Sequence, residues 1–306
     1  MTRQPDAMPL AQPLTGQSDN IRGAGIMALS MAAFASNDAG IKFAAETLPL
    51  YEAIAIRGVM VSLLLLGFAW LTGGLDLRIP RGDRLRFGVR LLAEVGSSLL
   101  FLHALTHMPL GALSAIMQSL PLLVMLAAAL VFGERIGWRR LSAVGVGLVG
   151  VALIVRPGSD SFNVWSLYGL GAVLLLVARE ITTRRLSAGI RSSTVALAAA
   201  VGVTLSAFVL PDAAAWRVPR VEEVGALTIS ACFLSVGYVA AVAAMRVGEV
   251  SFVSPFRYTQ LLVAMALGFA VFGEVPRLTT WIGAALLVGA GVYSIWREQR
   301  LRARGR

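Results

Sequence analysis

Long apolar runs separated by short polar gaps dominate the sequence. A membrane-spanning α-helix needs about 20 mostly apolar residues. Ten runs fit this length, at 23–45, 50–72, 86–107, 110–132, 138–156, 164–185, 193–210, 223–246, 250–272 and 278–296. Because backbone polar groups find no water inside lipid, helices are the element that suits these runs. The pattern therefore predicts an all-α polytopic membrane protein with ten transmembrane helices, numbered here in chain order.

Composition and charge favour a membrane location over a soluble one. Hydrophobic residues make up 57% of the 306 residues and charged residues only 14%, whereas soluble domains carry about 25% charged residues. The net charge of +10 does not indicate nucleic-acid binding, because no polar segment is long enough to fold into a reading module. We expect the lipid bilayer as a partner and no nucleic acid.

Arginine supplies nearly all of the positive charge, and its distribution predicts the orientation. With the N-terminus placed in the cytoplasm, and arginines near helix ends counted with the adjoining loop, 20 arginines fall on the cytoplasmic side and four on the outer side, while Lys42, Arg57 and Arg257 lie deeper within helices. Cytoplasmic loops of membrane proteins are enriched in Arg and Lys. The sequence thus predicts a multi-pass inner-membrane protein with both termini cytoplasmic, a disordered tail at 1–21 and a basic tail at 298–306.

The two halves of the chain resemble each other. A Gly-Glu pair follows helix 4 at 133–134, and another follows helix 9 at 273–274, 140 residues later. Each half contains five predicted helices, an odd number, so the second half enters the membrane from the opposite side. We therefore predict two inverted repeats, 22–157 and 158–297, an architecture that recurs in secondary transporters.

Ionisable residues inside the predicted helices are the main candidates for function, because each costs about 2.5–3.5 kcal/mol at the centre of a membrane helix. Asp38 and Lys42 are four residues apart in helix 1, and Glu180 and Arg184 repeat that spacing in helix 6, 142 residues later. Residues four apart share a helix face. Each pair is either a gate beside a substrate site or a salt bridge between helices. Asp38 and Glu180 are also the candidates for proton coupling, since intramembrane carboxylic acids relay protons in transporters.

Prolines interrupt two helices at corresponding positions. Pro255 in helix 9 precedes Arg257 and Tyr258, and Pro121 in helix 4 follows Gln118. Proline removes one backbone hydrogen bond and kinks a helix, and paired interrupted helices are the best sequence pointer to a transporter's binding site. We therefore predict substrate binding near Arg257, with plain packing of a kinked helix as the alternative.

Other polar or small residues fit structural roles better. Glu52 and Arg57 in helix 2 are five residues apart and not stacked on one face, so we expect them to be structural. His103 and His107 are four apart but have no acidic neighbour, so no metal site and no cofactor are predicted. Small faces of helices 5 and 10 favour close helix packing, within the chain or in a homodimer. They consist of Gly145, Gly147, Gly150, Gly283, Gly289 and Gly291.

The sequence disfavours an enzyme. A phosphate-binding G-x-x-x-x-G-K-[ST] loop is absent, since the only lysine is Lys42, and no ATP hydrolysis by that route is expected. The single cysteine, Cys232, excludes a disulfide within one chain. A membrane-embedded enzyme remains an alternative, but no concentrated set of catalytic residues supports it.

Four segments carry a family resemblance: ASNDAGIKF at 35–43, the stretch at 108–135, ITTRRL at 181–186, and SPFRYTQLLVAMALGFAVFGEVP at 254–276. They resemble the drug/metabolite transporter superfamily, specifically EamA-type members with ten helices. The resemblance implies two five-helix repeats and a central cavity lined by helices 1, 3, 4, 6, 8 and 9. It places nine candidates near the substrate: Asn37, Asp38, Glu94, Gln118, Arg179, Glu180, Tyr238, Arg257 and Tyr258.

The resemblance also implies a secondary transporter of a small organic molecule that works by alternating access. Some members of the family export amino acids, and others import cofactor-like molecules such as S-adenosylmethionine or riboflavin. Because the expected cavity carries both signs of charge, export of an amino acid or related zwitterion is the first expectation. Import of S-adenosylmethionine or riboflavin is the alternative, and the SNDAGIK and PFRYTQ segments are similar to the S-adenosylmethionine uptake branch.

Overall fold

A computed structural model describes residues 17–71, 78–133, 137–156, 164–187, 190–209 and 216–304. All regular structure within these ranges is helical and forms ten segments: α1 (Gln17–Ala45), α2 (Leu50–Leu71), α3 (Arg84–His107), α4 (Leu110–Phe132), α5 (Trp138–Val155), α6 (Val164–Thr183), α7 (Ser192–Val209), α8 (Val221–Val247), α9 (250–272) and α10 (Leu278–Arg304). By length and composition, α2 to α6 and α8 to α10 can each cross a membrane. The predicted all-α, multi-pass membrane fold is confirmed.

Both ends of the described chain are more helical than predicted. α1 begins at Gln17, so the predicted disordered tail is wrong for residues 17–21, and the rest of that tail lies outside the described residues. α10 continues to Arg304, past its predicted end at 296, because good helix formers without Gly or Pro follow that position.

The interruptions of α4 and α9 are where the prolines predict them. In α4, one helix ends at Met117 and the next starts at Leu120, with Pro121 in its first turn. In α9, a 3-10 turn, Ser254–Tyr258, separates two α-helical pieces. Proline is accepted at such starts because its missing N–H would be unpaired there anyway.

Helices of the two halves pack in a two-fold pattern. α1 packs on α8 as α6 packs on α3, α4 contacts α6 as α9 contacts α1, and α2–α7 and α5–α10 pair directly. The same contacts are obtained when each helix of the first half is exchanged for its counterpart in the second half, such as α1 for α6. Two related halves require this symmetry. Gly133 and Gly273 end α4 and α9 with the same left-handed backbone, at φ 69° and 65°, which glycine adopts without steric cost.

α5 and α10 cross in direct backbone contact. A β-carbon on Gly150 would lie 2.6 Å from the carbonyl oxygen of Gly283, and one on Gly283 would lie 2.5 Å from that of Gly150. Gly147 faces Leu122 of α4 just as closely. The suggestion that these three glycines mediate a homodimer is therefore wrong, because they pack helices within the chain. A homodimer formed by other surfaces stays a prediction.

Candidate functional site

A buried polar network, the α1 cluster, joins four helices and consists of Asn37, Asp38, Arg57, Ser230 and Gln260. The Asn37 amide nitrogen donates to Asp38 Oδ1 at 2.9 Å, and Asn37 Oδ1 accepts from Arg57 at 2.8 Å. Ser230 donates to Asn37 Oδ1 at 2.9 Å, and Gln260 donates to Asp38 Oδ2 at 3.4 Å. Asn37, Asp38 and Ser230 are 4%, 7% and 0% exposed, whereas Arg57 and Gln260 are half-buried. The centre of this network is therefore shielded from solvent.

Small residues bring α1 and α8 close enough to build this cluster. A β-carbon on Gly40 would lie 3.0 Å from Ser230 Cβ and 3.2 Å from the Ala226 carbonyl oxygen. Two turns away, the Ser30 hydroxyl donates to the Gly237 carbonyl at 2.7 Å. The backbones of α1 and α8 thus approach along their length and hold Asn37 against Ser230.

Lys42 does not pair with Asp38, and the pairing predicted from their spacing is wrong. Lys42 Nζ donates to Glu274 Oε1 at 2.5 Å and to the Met108 carbonyl at 2.6 Å. The other oxygen of Glu274 accepts the Leu110 N–H at 2.7 Å. The contact ties α1 to the end of α9 and to the α3–α4 connection. The spacing of residues within α1 does not reveal this partner, because Glu274 lies 232 residues further along the chain.

Arg57, which the sequence suggests is structural, belongs to the α1 cluster. The position of Arg57 along α2 could have identified it from the sequence. Asp38 lies seven residues before the end of α1 (45 − 38), and Arg57 lies seven residues after the start of α2 (57 − 50). Antiparallel neighbours joined by a short loop place such positions level with each other. Glu52 lies nearer the loop, where its carboxylate accepts the Arg217 N–H at 3.1 Å.

A second polar network, the α6 cluster, joins α3 to α6 and consists of Arg90, Glu94, Arg179, Glu180 and Thr183. Arg179 donates to Glu94 Oε1 at 2.9 Å and to Glu180 Oε1 at 2.5 Å. Arg90 donates to Glu94 Oε2 at 3.1 Å and to Thr183 Oγ1 at 3.2 Å. The Glu94 side chain is 12% exposed, whereas those of Arg179 and Glu180 are 22% and 39% exposed. The α6 cluster is therefore open on its Glu180 side.

Arg184 lies in the turn after α6. By the internal repeat, it corresponds to Lys42, and the counterpart of Glu274 is Glu134. Glu134 lies outside the described residues, so a gating or ion-pair role for Arg184 stays a prediction.

Tyr238 of α8 lies between the two clusters. It interacts electrostatically with Arg57 of the α1 cluster and with three members of the α6 cluster: Arg90, Glu94 and Arg179. Tyr238 is nevertheless 44% exposed. A residue that is close to both clusters and also exposed borders a water-accessible space, so we infer an open space between the clusters, inside the bundle.

Arg257 lies in the 3-10 turn of α9, beside the break in α4. The Gln118 amide nitrogen donates to the Arg257 carbonyl at 3.3 Å, so the two helix breaks touch. Arg257 is exposed, although Gln260 and Leu261, three and four residues later on the same face, contact α1 and the core. Within the described part of the chain, its guanidinium forms no hydrogen bond or ion pair. It is available to an anionic ligand.

Tyr258 is placed differently from its neighbour. It is 5% exposed, and its ring lies against Gly291 of α10. Its hydroxyl is buried and has no hydrogen-bond partner among the described residues. This packing favours a structural role over the predicted contact with substrate.

Polar contacts link the helices at the end of the bundle at which α1 ends and α2 begins, which we call the predicted outer end. Arg217 donates to Glu223 Oε1 at 2.5 Å and to the Thr47 carbonyl at 3.0 Å. The Thr47 hydroxyl donates to the same Glu223 oxygen at 2.6 Å. The hydrogen bond to Glu223 is the main reason why the pKa of Arg217 is raised above its ordinary value. With the Lys42–Glu274 pair, these contacts tie α1, α2, α8 and α9 together.

The two histidines belong to an aromatic group near this end. The Tyr51 hydroxyl lies 3.3 Å from His103 Nε2, and His103 Nδ1 lies 2.8 Å from the Leu99 carbonyl. The His107 ring stacks on Trp165 with centroids 3.8 Å apart. From α3, His103 thus contacts α2 and α6, and His107 packs on α6.

Three named transporters are similar to this chain. A riboflavin transporter of Brucella anthropi is 29% identical over 63% of this chain and 70% of its own length. An S-adenosylmethionine uptake transporter of Rickettsia felis is 23% identical over 93% of this chain and 96% of its own length. The pseudopaline exporter CntI of Pseudomonas aeruginosa is 27% identical over 84% of this chain and 90% of its own length.

Fold and family comparisons agree with these likenesses. A crystal structure with 17% sequence identity has the same fold, with a TM-score of 0.64 over 92% of this chain and 99% of that one. The EamA-like transporter family matches the sequence twice, at residues 21–156 and 163–296. The resemblance stated from the sequence is confirmed, and transport of a small molecule, rather than catalysis, is the activity that the named relatives share. The chain belongs to the EamA-like transporter family.

Proposed function

We propose that this protein is a secondary uptake transporter for a cofactor-like metabolite, with S-adenosylmethionine as the first candidate substrate. The observation that supports this is the exposure of Tyr238, which is 44% exposed although it lies between two acid–base clusters. On the neighbouring α9, the exposed Arg257 adds a positive charge without a partner among the described residues. A site with both signs of charge suits a ligand that carries an ammonium group and a carboxylate.

Arg257 is the residue proposed to select the substrate. Arginine binds carboxylates through two parallel hydrogen bonds, which give strength and a fixed geometry. S-adenosylmethionine offers a carboxylate, and its cationic groups suit the exposed carboxylate of Glu180. Riboflavin has no carboxylate and would depend less on Arg257. It is the second candidate, because a riboflavin transporter is among the similar proteins.

The proposed direction is import. Of the three relatives described above, one is an uptake transporter by name, one is a transporter of a vitamin, and one is an exporter. Amino-acid export, the first expectation from the sequence, has no support among these names. Import of a cofactor-like metabolite, the alternative stated there, fits them better.

The proposed mechanism is alternating access between the two five-helix repeats, 22–157 and 158–297. Polar contacts tie α1, α2, α8 and α9 together at the predicted outer end, while Arg257 is exposed and Glu180 is half-buried. The proposed exit for the substrate is therefore the opposite, predicted inner end. Proton coupling through Asp38 or Glu180 belongs to this proposal. So do the inner-membrane location and the cytoplasmic termini, which rest on the arginine distribution.

The test is ligand-dependent thermal stabilisation of the purified protein, followed by uptake into proteoliposomes. A ligand at about 100 times its dissociation constant stabilises the folded state by about 2.7 kcal/mol. We expect S-adenosylmethionine to stabilise the protein, and Arg257→Ala to weaken binding by about 10- to 100-fold, because a hydrogen bond to a charged group contributes about 1.5–3 kcal/mol. Arg246→Ala removes another exposed arginine and is the matched control.

Each outcome decides between the candidates. Stabilisation by riboflavin alone, unchanged in Arg257→Ala, would replace the first candidate with the second. Efflux without uptake in proteoliposomes would reverse the proposed direction. Failure of both ligands to stabilise the folded protein would refute import of either metabolite and leave the family assignment intact.

A further inference from the structure

A groove lies on the outer surface of the bundle, at the predicted inner end of α5 and α10. Its volume is about 330 Å³, and Trp138, Arg139, Ser142, Gly289 and Tyr293 are among the residues that line it. A β-carbon on Gly289 would have no neighbour within 4 Å, so the groove is open on that side. Its lining shares no residue with the α1 or α6 clusters, and the groove is therefore separate from the proposed substrate site.

Two arginines beside the groove rest on aromatic rings instead of acids. The Arg139 guanidinium carbon lies 5.3 Å from the centroid of the Trp138 ring. That of Arg300 lies 3.9 Å from the Trp296 ring, whose centroid is 6.1 Å from that of Tyr293 in the groove. Neither guanidinium forms a hydrogen bond or ion pair with any described residue. Two positive charges thus flank one groove without neutralisation by the described part of the protein.

The start of α5 adds to this positive potential. The N-cap of α5 is Gly137, which has no side chain to cap the helix, and no other side-chain cap is present among the described residues. The N-terminus of a helix carries a partial positive charge and attracts anions. Trp138 and Arg139 are the first two residues of this helix, so the helix end, the arginines and the groove coincide.

We propose that this groove binds an anionic phospholipid. The phosphate lies between Arg139 and Arg300, and an acyl chain runs along the open side of Gly289. Basic pockets between transmembrane helices bind anionic headgroups, and Trp and Tyr favour the membrane–water interface, which is where the ends of α5 and α10 lie. This proposal holds whichever metabolite the protein transports, because the groove is separate from the proposed substrate site.

A second copy of the chain is the competing occupant, and charge argues against it. A two-fold symmetric interface places the same patch of both copies face to face. Such an interface here would bring the unpaired Arg139 and Arg300 of one copy against those of the other. Like charges repel, whereas a lipid phosphate neutralises them.

Native mass spectrometry of the detergent-purified protein tests the proposal, with phosphatidylglycerol and phosphatidylethanolamine as the lipids. We expect tighter binding of phosphatidylglycerol, and about a thirtyfold loss in the Arg139→Ala/Arg300→Ala double variant, from about 1 kcal/mol for each arginine near an anionic group. The control is Arg81→Ala/Arg84→Ala, which removes two exposed arginines at the same end of the bundle.

A second pair of variants tests the groove apart from its charges. Gly289→Leu fills the open side without touching an arginine, and Gly145→Leu adds the same side chain at another open position of the α5–α10 pair. We expect Gly289→Leu alone to reduce phosphatidylglycerol binding, by at least about fivefold, with the folded state of both variants checked by thermal unfolding.

Three results would overturn the proposal. One is equal binding of the two lipids by the unmodified protein. Another is an equal loss of phosphatidylglycerol binding in the Arg81/Arg84 control, which would indicate general attraction to basic residues. The third is a dimer that the Arg139/Arg300 or Gly289 variants dissociate, which would make a second copy the occupant.

Discussion

The α1 and α6 clusters occupy corresponding positions of the two halves but differ in their contact with water. Asp38 and Glu180 are related by the internal repeat, and each lies in a network that contains arginine. Asp38 is 7% exposed and accepts hydrogen bonds from the amides of Asn37 and Gln260, while the Glu180 side chain is 39% exposed and is held by one arginine. The comparison indicates that the Asn37–Asp38 part of the α1 cluster is closed to water and that the α6 cluster is more open, which is why the proposed substrate site is placed beside the α6 cluster.

Glycine contacts explain the difference. On α1, Gly40 faces the backbone and Cβ of α8, so these helices touch and exclude water. Between α3 and α6, a β-carbon on Gly96 would lie 2.9 Å from a Leu175 methyl, and one on Gly171 would lie 3.0 Å from a Leu100 methyl. At these positions α3 and α6 therefore meet through leucine side chains instead of backbone, and the acid of the α6 cluster is the more exposed one. Equivalent positions in a repeat do not guarantee equivalent solvation.

The largest expected effect comes from breaking the α1 cluster. Arg57 acts on the buried Asp38 electrostatically, across the Asn37 amide to which it donates. Arg57→Ala removes this positive charge, and removal of one of two opposite charges inside a protein costs about 3–5 kcal/mol. We expect the free energy of unfolding, measured by denaturant titration in detergent, to fall by that amount. The double variant Asp38→Asn/Arg57→Met leaves no unpaired charge and should recover most of the loss. If the double variant does not recover stability, the burial of an uncompensated Asp38 charge is not the cause of the loss in Arg57→Ala.

The Lys42–Glu274 pair should give an intermediate effect, because its side chains are 10% and 17% exposed. Lys42→Ala removes a charged donor from Glu274, and we expect a loss of about 1.5–3 kcal/mol in the free energy of unfolding. Glu274→Gln keeps an oxygen for the Leu110 N–H and should cost less. Equal losses in the two variants would show that the ion pair, which both variants remove, matters more than the hydrogen bond that Glu274→Gln keeps.

Glu180→Gln should have a small effect on stability, because an exposed ion pair contributes less than about 1 kcal/mol. Ligand affinity should fall if the α6 cluster lines the substrate site, since the amide no longer attracts a cationic group. Thermal unfolding with and without ligand measures both quantities. Glu222→Gln, an exposed glutamate at the start of α8, is the matched control and should change neither. A loss of stability comparable to that of Arg57→Ala would break the comparison.

The smallest expected effect is a difference in salt dependence. Raising ionic strength from about 0.1 M to about 1 M shortens the screening length from about 10 Å to about 3 Å. The stability loss in Glu180→Gln should shrink by a few tenths of a kcal/mol, because water and ions reach an exposed ion pair and screen it. The loss in Arg57→Ala should not change. Parallel denaturant titrations at the two salt concentrations measure this, and the same salt response in both variants would place both clusters in water.

Much of the fold follows from the sequence because lipid imposes simple rules. Apolar runs of membrane length become helices, and Pro121 and Pro255 mark the breaks in α4 and α9, since proline changes the backbone wherever the helix lies. The Gly-Glu motif at 273–274 indicates a repeated helix end, and Gly273 ends α9 in the left-handed conformation. These features depend on local chemistry, which one sequence displays.

The site is less predictable because its contacts join distant parts of the chain. Asp38 and Lys42 share a face, but Lys42 binds Glu274, which no local spacing reveals. Arg57 can be assigned to the α1 cluster because it lies at the same depth in α2 as Asp38 does in α1. Its spacing from Glu52 within α2 does not indicate this role. The exposure of Tyr238 depends on the gap between α3, α6 and α8, which is a property of packing rather than of any single helix.

The backbone crossing of α5 and α10 gives a fixed reference for spectroscopy. Because Gly150 and Gly283 touch through main-chain atoms, these two helices have no side-chain layer along which to slide. Fluorophores attached to α5 and α10 should report a constant distance in single-molecule energy-transfer records, whatever the state of the rest of the bundle. Changes in the distance between dyes on α1 and α3 could then be compared with the constant α5–α10 distance and assigned to the transport cycle.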